Sequence, residues 1–183
     1  MNLPNKLTML RIVMIPFFIA CFYIPIECRE HIAAIIFILA YATDVIDGKY
    51  ARKHNLVTDF GKLMDPIADK LLTASAVIML TASGTVHPIA TFITIGREFV
   101  ISGFRLVSAS KGNVIAAGKV GKIKTVMQCV AVMLILIGMP LQGTSPLAFL
   151  LTAGRVALWI SVALSIWSAV EYIVKNKGAV TSM

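Results

Sequence analysis

Long hydrophobic runs, separated by short polar joints, make up most of this chain. Runs of this length can cross a bilayer when they form helices. They predict six transmembrane helices at roughly 8–26, 31–52, 60–83, 87–109, 119–140 and 146–174. A short interfacial segment, Leu3–Lys6, is predicted before the first of them. The pattern therefore predicts an all-α integral membrane protein with a single domain over residues 1–183.

The composition supports a membrane protein. Of 183 residues, 58% are hydrophobic and only 14% are charged, and the mean hydropathy is +0.85. A soluble domain of this size could not bury so much apolar surface. The first run could be mistaken for a cleaved signal, but it contains Arg11 and lacks a small-residue cleavage site near Ile24–Glu27. We therefore expect it to be retained as the first helix.

The net charge of +8 is unevenly distributed among the connections. Basic residues are concentrated in the second and fourth connections and in the C-terminal tail, whereas the other connections hold essentially one, Arg29. By the positive-inside rule, both termini and the second and fourth connections are expected on the cytoplasmic side of the inner (cell) membrane. Because the chain has no soluble basic module, this charge indicates anionic lipid rather than nucleic acid as a partner.

Four aspartates form two pairs at helical spacing, Asp44 with Asp47 and Asp65 with Asp69. Residues three or four apart lie on one face of a helix, so each pair presents two carboxylates together. The short polar joint between the second and third helices can bring the two pairs face to face. Carboxylates at the edge of hydrocarbon are costly and are rarely kept without a use. A divalent cation between them is the simplest way to relieve their repulsion.

These aspartates belong to a longer pattern of eight residue types. The pattern consists of Asp44, Asp47, Gly48, Ala51, Arg52, Gly61, Asp65 and Asp69. In order and spacing it resembles, at all eight positions, the signature of the CDP-alcohol phosphotransferases. Members of that family make phospholipids by displacing CMP from a CDP-linked group. Because eight residue types are fixed at defined spacings, the resemblance is far more specific than a lone glycine motif.

The resemblance implies the roles of the aspartates. Asp44, Asp47 and Asp65 are expected to bind two divalent ions, Mg²⁺ or Mn²⁺, with Asp69 at the edge of the metal site. Asp69 is also expected to be the catalytic base, which takes the proton from the attacking hydroxyl group. The family further implies a homodimer and an active site that faces the cytoplasm.

The same resemblance implies a binding site for the nucleotide of CDP-diacylglycerol. Its residues are Asp44, Gly48, Ala51, Arg52 and Gly61. Small residues let a planar group approach the helix backbone closely, and Arg52 can offer a fork of donors to phosphate oxygens. Close packing of helices would also explain Gly48 and Ala51. Thr58 or Asp59 is expected to cap the start of the third helix.

Segments outside the signature indicate which alcohol accepts the phosphatidyl group. Between residues 3 and 125 they resemble the branch of the family that uses glycerol 3-phosphate, although the related cardiolipin synthases share parts of them. The residues that carry this broader resemblance include Asn5, Thr8, Arg11, Arg97, Glu98, Arg105, Gly121, Lys122, Lys124 and Thr125.

The acceptor's phosphate group carries nearly two negative charges, so its pocket needs several cations close to the metals. The cations expected to supply this pocket are Arg105, Lys119, Lys122 and Lys124. The lysines could instead be positive-inside charges that contact anionic lipid, and Arg97 with Glu98 could form a buried ionic network. An inositol phosphate acceptor would need similar cations, so charge alone leaves that alternative open.

The sequence therefore indicates an enzyme that transfers a phosphatidyl group from CDP-diacylglycerol to glycerol 3-phosphate and releases CMP. Two alternatives keep this chemistry but change the acceptor to inositol phosphate or, in a cardiolipin synthase, to phosphatidylglycerol. A divalent-cation transporter is the alternative from a different class, but matching acids are missing deep in the other predicted spans. A catalytically inactive scaffold is disfavoured because all eight signature residues are present.

Overall fold

The computed structural model of the chain describes residues 2–53, 58–110, 118–141 and 146–175, with the backbone alone at 3, 4, 45–53, 59, 62, 110 and 119. These ranges are almost entirely helical and contain no strand. The helices are α1 (Leu3–Cys21), α2 (Arg29–Lys53), α3 (Asp59–Ala82), α4 (Pro88–Ser110), α5 (Lys119–Gly138) and α6 (Phe149–Lys175). Two short 3₁₀ turns, Met139–Leu141 and Pro146–Ala148, lie between α5 and α6.

Helices α2 to α6 confirm the predicted helix ranges, because each helix end lies within three residues of the predicted end. Long apolar runs between polar joints leave little freedom in where a helix begins and ends. Of the two candidates for the cap of α3, the structure has Thr58, whose side chain accepts a hydrogen bond from the Gly61 N–H at 3.1 Å. Asp59 is the first residue of the helix.

The start of the chain differs from the prediction. The separate segment expected at residues 3–6 is wrong, because α1 already begins at Leu3. Pro4 lies in the first turn, where its missing N–H leaves no helical hydrogen bond unmade. The helix also ends at Cys21 rather than near residue 26. Pro25 follows shortly afterwards and lacks the N–H that would continue the helix.

A tight turn joins α3 and α4 into an antiparallel hairpin. Gly84 has a φ of +74°, a left-handed conformation in which a side chain would be strained. Its N–H bonds to the Thr81 carbonyl at 2.9 Å, and the Thr85 N–H bonds to the Leu80 carbonyl at 3.0 Å. These bonds satisfy carbonyls in the last turn of α3. The turn lies at the far end of α3 from the aspartates.

Two segments are long and apolar enough to cross a membrane, Val120–Leu141 and Pro146–Lys175. In α3 and α4 the charged residues of the described part interrupt the apolar runs. These residues are Asp65, Asp69 and Lys70 in α3 and Arg97, Glu98 and Arg105 in α4. The prediction of six transmembrane helices is thus supported for two of the helices and stays a prediction for the others.

Large apolar side chains cover the outside of the bundle on every helix. Examples with highly exposed side chains are Phe17, Leu39, Leu63, Phe92, Phe99, Leu106, Ile123 and Trp167. A soluble protein rarely exposes apolar surface on all sides, whereas a bundle surrounded by lipid does so. Together with the two apolar helices, this surface indicates a membrane protein.

The apolar core lies between α1, α2, α3, α5 and α6. Phe18 of α1 and Phe37 of α2 are fully buried, with ring centroids 5.9 Å apart. Leu80 of α3 and Val132 of α5 are buried in the same cluster. Below this core, toward the C-terminal ends of α2 and α4 and the N-terminal ends of α3 and α5, the interior becomes polar.

Helices α5 and α6 pack along a seam of small residues. The residues that α6 buries at alternating steps of four and three are Gly154, Leu158, Ser161, Ser165, Ser168 and Tyr172. This spacing forms one narrow stripe that follows a neighbouring helix. A Cβ added at Gly154 would lie 2.8 Å from the backbone nitrogen of Ile135. The backbones therefore approach more closely than a side chain at residue 154 would allow.

We predict that Gly154→Ala destabilises the protein, because the added methyl group would meet backbone atoms that have no room to move. Overpacking of this kind costs about 1–3 kcal/mol, more than the gain of roughly 1 kcal/mol from the higher helix propensity of alanine. The thermal unfolding midpoint in detergent measures the effect. Gly103→Ala is the matched control, since nothing lies within 4 Å of its added Cβ. Equal midpoints for both variants would contradict the close approach.

Candidate active site

The polar face of α1 consists of Asn5, Thr8 and Arg11, and all three residues are buried. Their spacing of three places them on one side of the helix. Polar groups in a bundle interior must find partners, because leaving them unpaired is costly. The partners lie on α2 and α3, at or beside the aspartates of the sequence signature.

Arg11 binds Asp44 in an ion pair inside the bundle. The side chain of Arg11 is 0% exposed, and its Nη1 lies 2.7 Å from Oδ1 of Asp44. Its Nε donates a hydrogen bond to the Ala40 carbonyl at 3.2 Å, one turn earlier on α2. The side chain of Asp44 remains 33% exposed. The carboxylate is thus held on one side by α1 and is accessible to a ligand on the other.

Thr8 and Asn5 fix the start of α3 against the same face. The Thr8 hydroxyl donates a hydrogen bond to Oδ1 of Asp65 at 2.5 Å. The Thr58 hydroxyl donates to the amide oxygen of Asn5 at 2.9 Å and accepts from the Gly61 N–H. The cap of α3 is therefore itself bound to α1. The Thr8 contact orients the Asp65 carboxylate by binding its Oδ1 atom.

Gly61 permits this close contact. A Cβ at this position would lie 3.2 Å from the amide oxygen of Asn5 and 3.3 Å from the hydroxyl oxygen of Thr58. It would also lie 3.7 Å from Oδ2 of Asp65. A side chain there would push α1 and α3 apart at the point where Asp65 is held. The expectation that Gly61 contributes to the nucleotide site stays a prediction, and the structure gives it a packing role beside that site.

Asp69 lies one turn beyond Asp65 and is partly buried. The Asp44 carboxylate is close enough to both Asp65 and Asp69 for their negative charges to repel its own. Within the part of the chain that the structure describes, no group donates a hydrogen bond to the Asp69 carboxylate. Asp44 and Asp65 are thus each bound by a side chain of α1.

Five of the predicted site residues lie outside the described side chains. They are Asp47, Gly48, Ala51 and Arg52 near the end of α2 and Lys119 at the start of α5. Among the described side chains, no group of three or more histidines, cysteines or acids has the arrangement of a metal site. The predicted set of four metal-binding aspartates therefore stays a prediction, of which the structure brings Asp44, Asp65 and Asp69 into one region.

A cavity of about 440 Å³ lies between α4, α5 and α6. Its polar lining consists of Arg97, Glu98, Arg105, Lys122, Thr125, Ser168, Glu171, Tyr172 and Lys175. The guanidinium of Arg105 lies 5.8 Å from the ring centroid of Tyr172, which fixes its position by a cation–π contact. Two of the predicted acceptor-binding cations, Arg105 and Lys122, thus line one cavity.

Lys124, another of the predicted acceptor-binding cations, lies outside this cavity. It is buried and its Nζ is 2.5 Å from Oε1 of Glu98. Glu98 also binds Nη1 of Arg97 at 3.1 Å, and Nη2 of Arg97 donates to the Ser168 hydroxyl at 2.9 Å. Arg97 and Glu98 therefore form the ionic network that the sequence left as one alternative, but the network is only partly buried and also includes Lys124. The network joins α4, α5 and α6 along one wall of the cavity, where Arg97, Glu98 and Ser168 lie.

Two parts of this region were missed by the sequence reasoning. Lys70, next to Asp69, donates a hydrogen bond to the Ser102 hydroxyl, which donates to the Glu98 carbonyl at 2.6 Å. Tyr172 and Lys175 of α6 line the cavity, and neither is among the site residues that the sequence predicts. The polar residues Glu171 and Lys175 at the end of an apolar helix are the signal that could have indicated this role.

The chain is also similar to known proteins. A family model described as CDP-alcohol phosphatidyltransferase matches residues 1–167 of the chain. That range contains the eight residues of the signature, the polar face of α1 and the network around Glu98.

Three relatives are similar to the chain along nearly its whole length, and each is named CDP-diacylglycerol–glycerol-3-phosphate 3-phosphatidyltransferase. The Bacillus subtilis protein is 42% identical, with 96% of this chain and 95% of that protein covered. The Rickettsia felis protein is 39% identical, with 93% of each covered. The Salmonella typhimurium protein is 34% identical, with 97% of this chain and 96% of that protein covered.

We predict that Arg11→Met lowers the thermal unfolding midpoint strongly. Loss of one partner from a buried ion pair leaves the other charge uncompensated, which costs about 3–5 kcal/mol. Arg29→Met is the matched control, because Arg29 is 46% exposed and lies 4.0 Å from Glu30. Such a surface pair contributes about 0–1 kcal/mol. Similar midpoints for the two variants would show that the Arg11–Asp44 pair does not hold the helices together.

Proposed function

We propose, because the chain belongs to the CDP-alcohol phosphatidyltransferase family, that it transfers a phosphatidyl group from CDP-diacylglycerol to glycerol 3-phosphate. The observation that carries the proposal is the sequence identity of 34–42% with relatives named for this reaction, over most of the chain. The products are phosphatidylglycerophosphate and CMP. The enzyme therefore acts in phospholipid synthesis, and its lipid substrate lies in the membrane that surrounds the bundle.

The divalent ions that this family generally uses are proposed to bind the aspartates of the signature. Carboxylate oxygens are the ligands that Mg²⁺ and Mn²⁺ prefer, and the charge of Asp44 acts on both Asp65 and Asp69, which a cation among them would offset. Asp47 completes the proposed set. When bound, the ions neutralise the pyrophosphate of the substrate and the charge that develops on departing CMP. The nucleotide is proposed to lie against Gly48, Ala51, Arg52 and Gly61 of the sequence signature.

Asp69 is proposed to be the catalytic base. The acceptor's hydroxyl oxygen forms a bond to the phosphatidyl phosphorus, and the bond between that phosphorus and the CMP oxygen breaks. The proton of the hydroxyl group passes to the Asp69 carboxylate. The resemblance to the family signature, whose last matched position is Asp69, supports the assignment.

The cavity between α4, α5 and α6 is proposed to bind the phosphate of glycerol 3-phosphate. Arg105 and Lys122 supply positive charge, and Glu98 lies at the boundary with the Asp69 region. Lys124 supports the pocket indirectly, by binding Glu98. Lys119, whose side chain the structure does not describe, stays a candidate for direct contact.

The orientation and assembly of the protein are also proposals. The distribution of basic residues supports an active site and termini on the cytoplasmic side of the inner membrane, where the lysines contact anionic lipid. The family resemblance supports a homodimer. The transporter alternative finds no support among the relatives, whose names describe a transferase.

We predict that purified protein releases CMP from CDP-diacylglycerol in the presence of Mg²⁺ only when glycerol 3-phosphate is added. Asp69→Asn should reduce this release by about 10²-fold or more, because an amide cannot take the proton. Binding of CMP, measured by calorimetry, should change much less in the same variant. Release that depends on inositol phosphate instead would keep the chemistry and overturn the acceptor. No release with any acceptor would overturn the function.

We predict that Arg105→Gln raises the KM for glycerol 3-phosphate by about 10-fold or more, since a hydrogen bond to a charged group contributes about 1.5–3 kcal/mol. The KM for CDP-diacylglycerol should stay close to that of the unaltered protein. Arg29→Gln, at the other end of the bundle, is the control for a loss of positive charge. A change in the KM for the lipid substrate, with none for glycerol 3-phosphate, would contradict the assignment of Arg105 to the glycerol 3-phosphate pocket.

A further inference from the structure

A second cavity, of about 490 Å³, lies at the end of the bundle opposite the aspartates. It is lined by Thr81, Gly84, Thr85, Val86, His87, Pro88, Ala90, Arg155, Leu158 and Trp159. Thr81 follows Asp65 by roughly 24 Å along α3, so the cavity is remote from the proposed reaction. Neither the sequence signature nor the proposed function gives these residues a role.

Arg155 is the charged residue of this cavity. Its Nε donates a hydrogen bond to the Thr85 carbonyl at 3.0 Å, which links α6 to the turn between α3 and α4 and orients the guanidinium. No acidic residue is among those that line the cavity. Among the described arginines, Arg11, Arg29 and Arg97 each have a carboxylate partner, whereas Arg105 and Arg155 have none among the described residues. The cavity therefore has the exposed cation Arg155 at its edge and no acidic residue in its lining.

His87 and Trp159 complete the mouth of the cavity. Their ring centroids lie 6.3 Å apart, and Trp159 follows Arg155 by one turn of α6. The Ile89 N–H donates to Nδ1 of His87 at 3.3 Å, so the neutral ring carries its proton on Nε2 and can donate a hydrogen bond from there. Tryptophan is typical of the boundary between membrane and water, where lipid head groups lie.

The interior of the cavity is apolar. Val86, Ala90 and Leu158 line it and are each at most 5% exposed. Cationic and hydrogen-bonding groups at the mouth, with an apolar floor beneath them, suit a ligand that carries an anionic phosphate next to hydrocarbon. Inorganic phosphate would satisfy Arg155 and His87 but would leave the apolar floor unused.

We propose that this cavity binds the anionic phosphate ester of a phospholipid head group, in the leaflet opposite the active site. Arg155 and His87 bind the phosphate oxygens, Trp159 packs beside the head group, and the apolar floor contacts the first carbons of the lipid. The bound lipid bridges α6 and the α3–α4 turn, which Arg155 already connects. The proposal is independent of the reaction, because none of its residues belongs to the proposed active site.

Trp159 provides a local probe for the experiment. The chain has two tryptophans, and Trp167→Phe leaves Trp159 as the single one. In detergent, the fluorescence of this protein is titrated with brominated phosphatidylglycerol or brominated phosphatidylcholine, which quench a tryptophan on contact. We expect half-quenching at a several-fold lower mole fraction of the anionic lipid. Equal quenching by the two lipids would overturn the proposal.

Variants separate Arg155 from a general effect of charge. Arg155→Gln should abolish the preference for the anionic lipid, Arg155→Lys should keep part of it, and Arg29→Gln should keep all of it. A preference that survives Arg155→Gln, or that Arg29→Gln also abolishes, would overturn the proposal. Unchanged elution and Trp159 emission before lipid is added show that each variant is folded, and Arg155→Lys tests the charge if Arg155→Gln fails this check.

Competition identifies the source of the phosphate. Inorganic phosphate is added at several concentrations, with chloride at matched ionic strength as the reference. We expect little reversal of quenching by phosphate beyond that by chloride, because free phosphate makes no contact with the apolar floor. Specific reversal at millimolar phosphate would overturn the assignment to a lipid head group and assign the site to phosphate from solution.

Discussion

The buried ion pair between Arg11 and Asp44 is the contact on which the arrangement of the site depends. A fully buried guanidinium is costly unless a charged partner and further hydrogen-bond acceptors surround it. Asp44 and the Ala40 carbonyl meet this need only if α1 lies against the polar end of α2. The pair therefore restricts the position of α1, and with it the positions of Thr8 and Asn5.

From this position α1 also determines how α3 begins. Asn5 binds the threonine that caps α3, and Thr8 binds Asp65 one turn later. Gly61 keeps the two helices close enough for both contacts. A helix that carries no aspartate thus orients aspartates on two other helices. In a metal site, groups that bind the ligands from behind fix the direction of their lone pairs.

The other half of the region is organised around Glu98. This carboxylate binds Arg97 and Lys124, and the Glu98 carbonyl accepts from Ser102, to which Lys70 donates. The network joins α3 to α6, and the narrow seam between α5 and α6 keeps the last helix against it. Asp69, which precedes Lys70, lies between the polar face of α1 and this network. The two halves thus meet at the proposed catalytic base.

The sequence predicts the helices well because the physical signal is local. Apolar runs and polar joints define α2 to α6, and helical spacing alone indicates that Asp65 and Asp69 share a face. The start of α1 differs from the prediction because the residues from Leu3 to Lys6 resemble a separate segment, whereas the helix backbone begins at Leu3 and Asn5 binds Thr58.

Contacts between distant residues could not be predicted in the same way. Thr8 and Asp65 are 57 positions apart, and no periodicity indicates that they meet. For Lys124 the sequence predicts a cation near the cytoplasmic end of α5, but its direction depends on where α4 places Glu98. Tyr172 likewise lines the cavity only because α6 returns beside α4.

The central claim is that α1 orients the aspartates for divalent ions, and binding of Mn²⁺ to Thr8 variants tests it most directly. Electron paramagnetic resonance counts free Mn²⁺ during titration of the purified protein. Thr8→Ser keeps the hydroxyl group that binds Asp65, whereas Thr8→Val removes it at similar size. We expect Thr8→Val to weaken Mn²⁺ binding by about 10-fold or more, as loss of such a supporting contact typically does, and Thr8→Ser to bind as the unaltered protein does. Equal affinities for the two variants would contradict the claim.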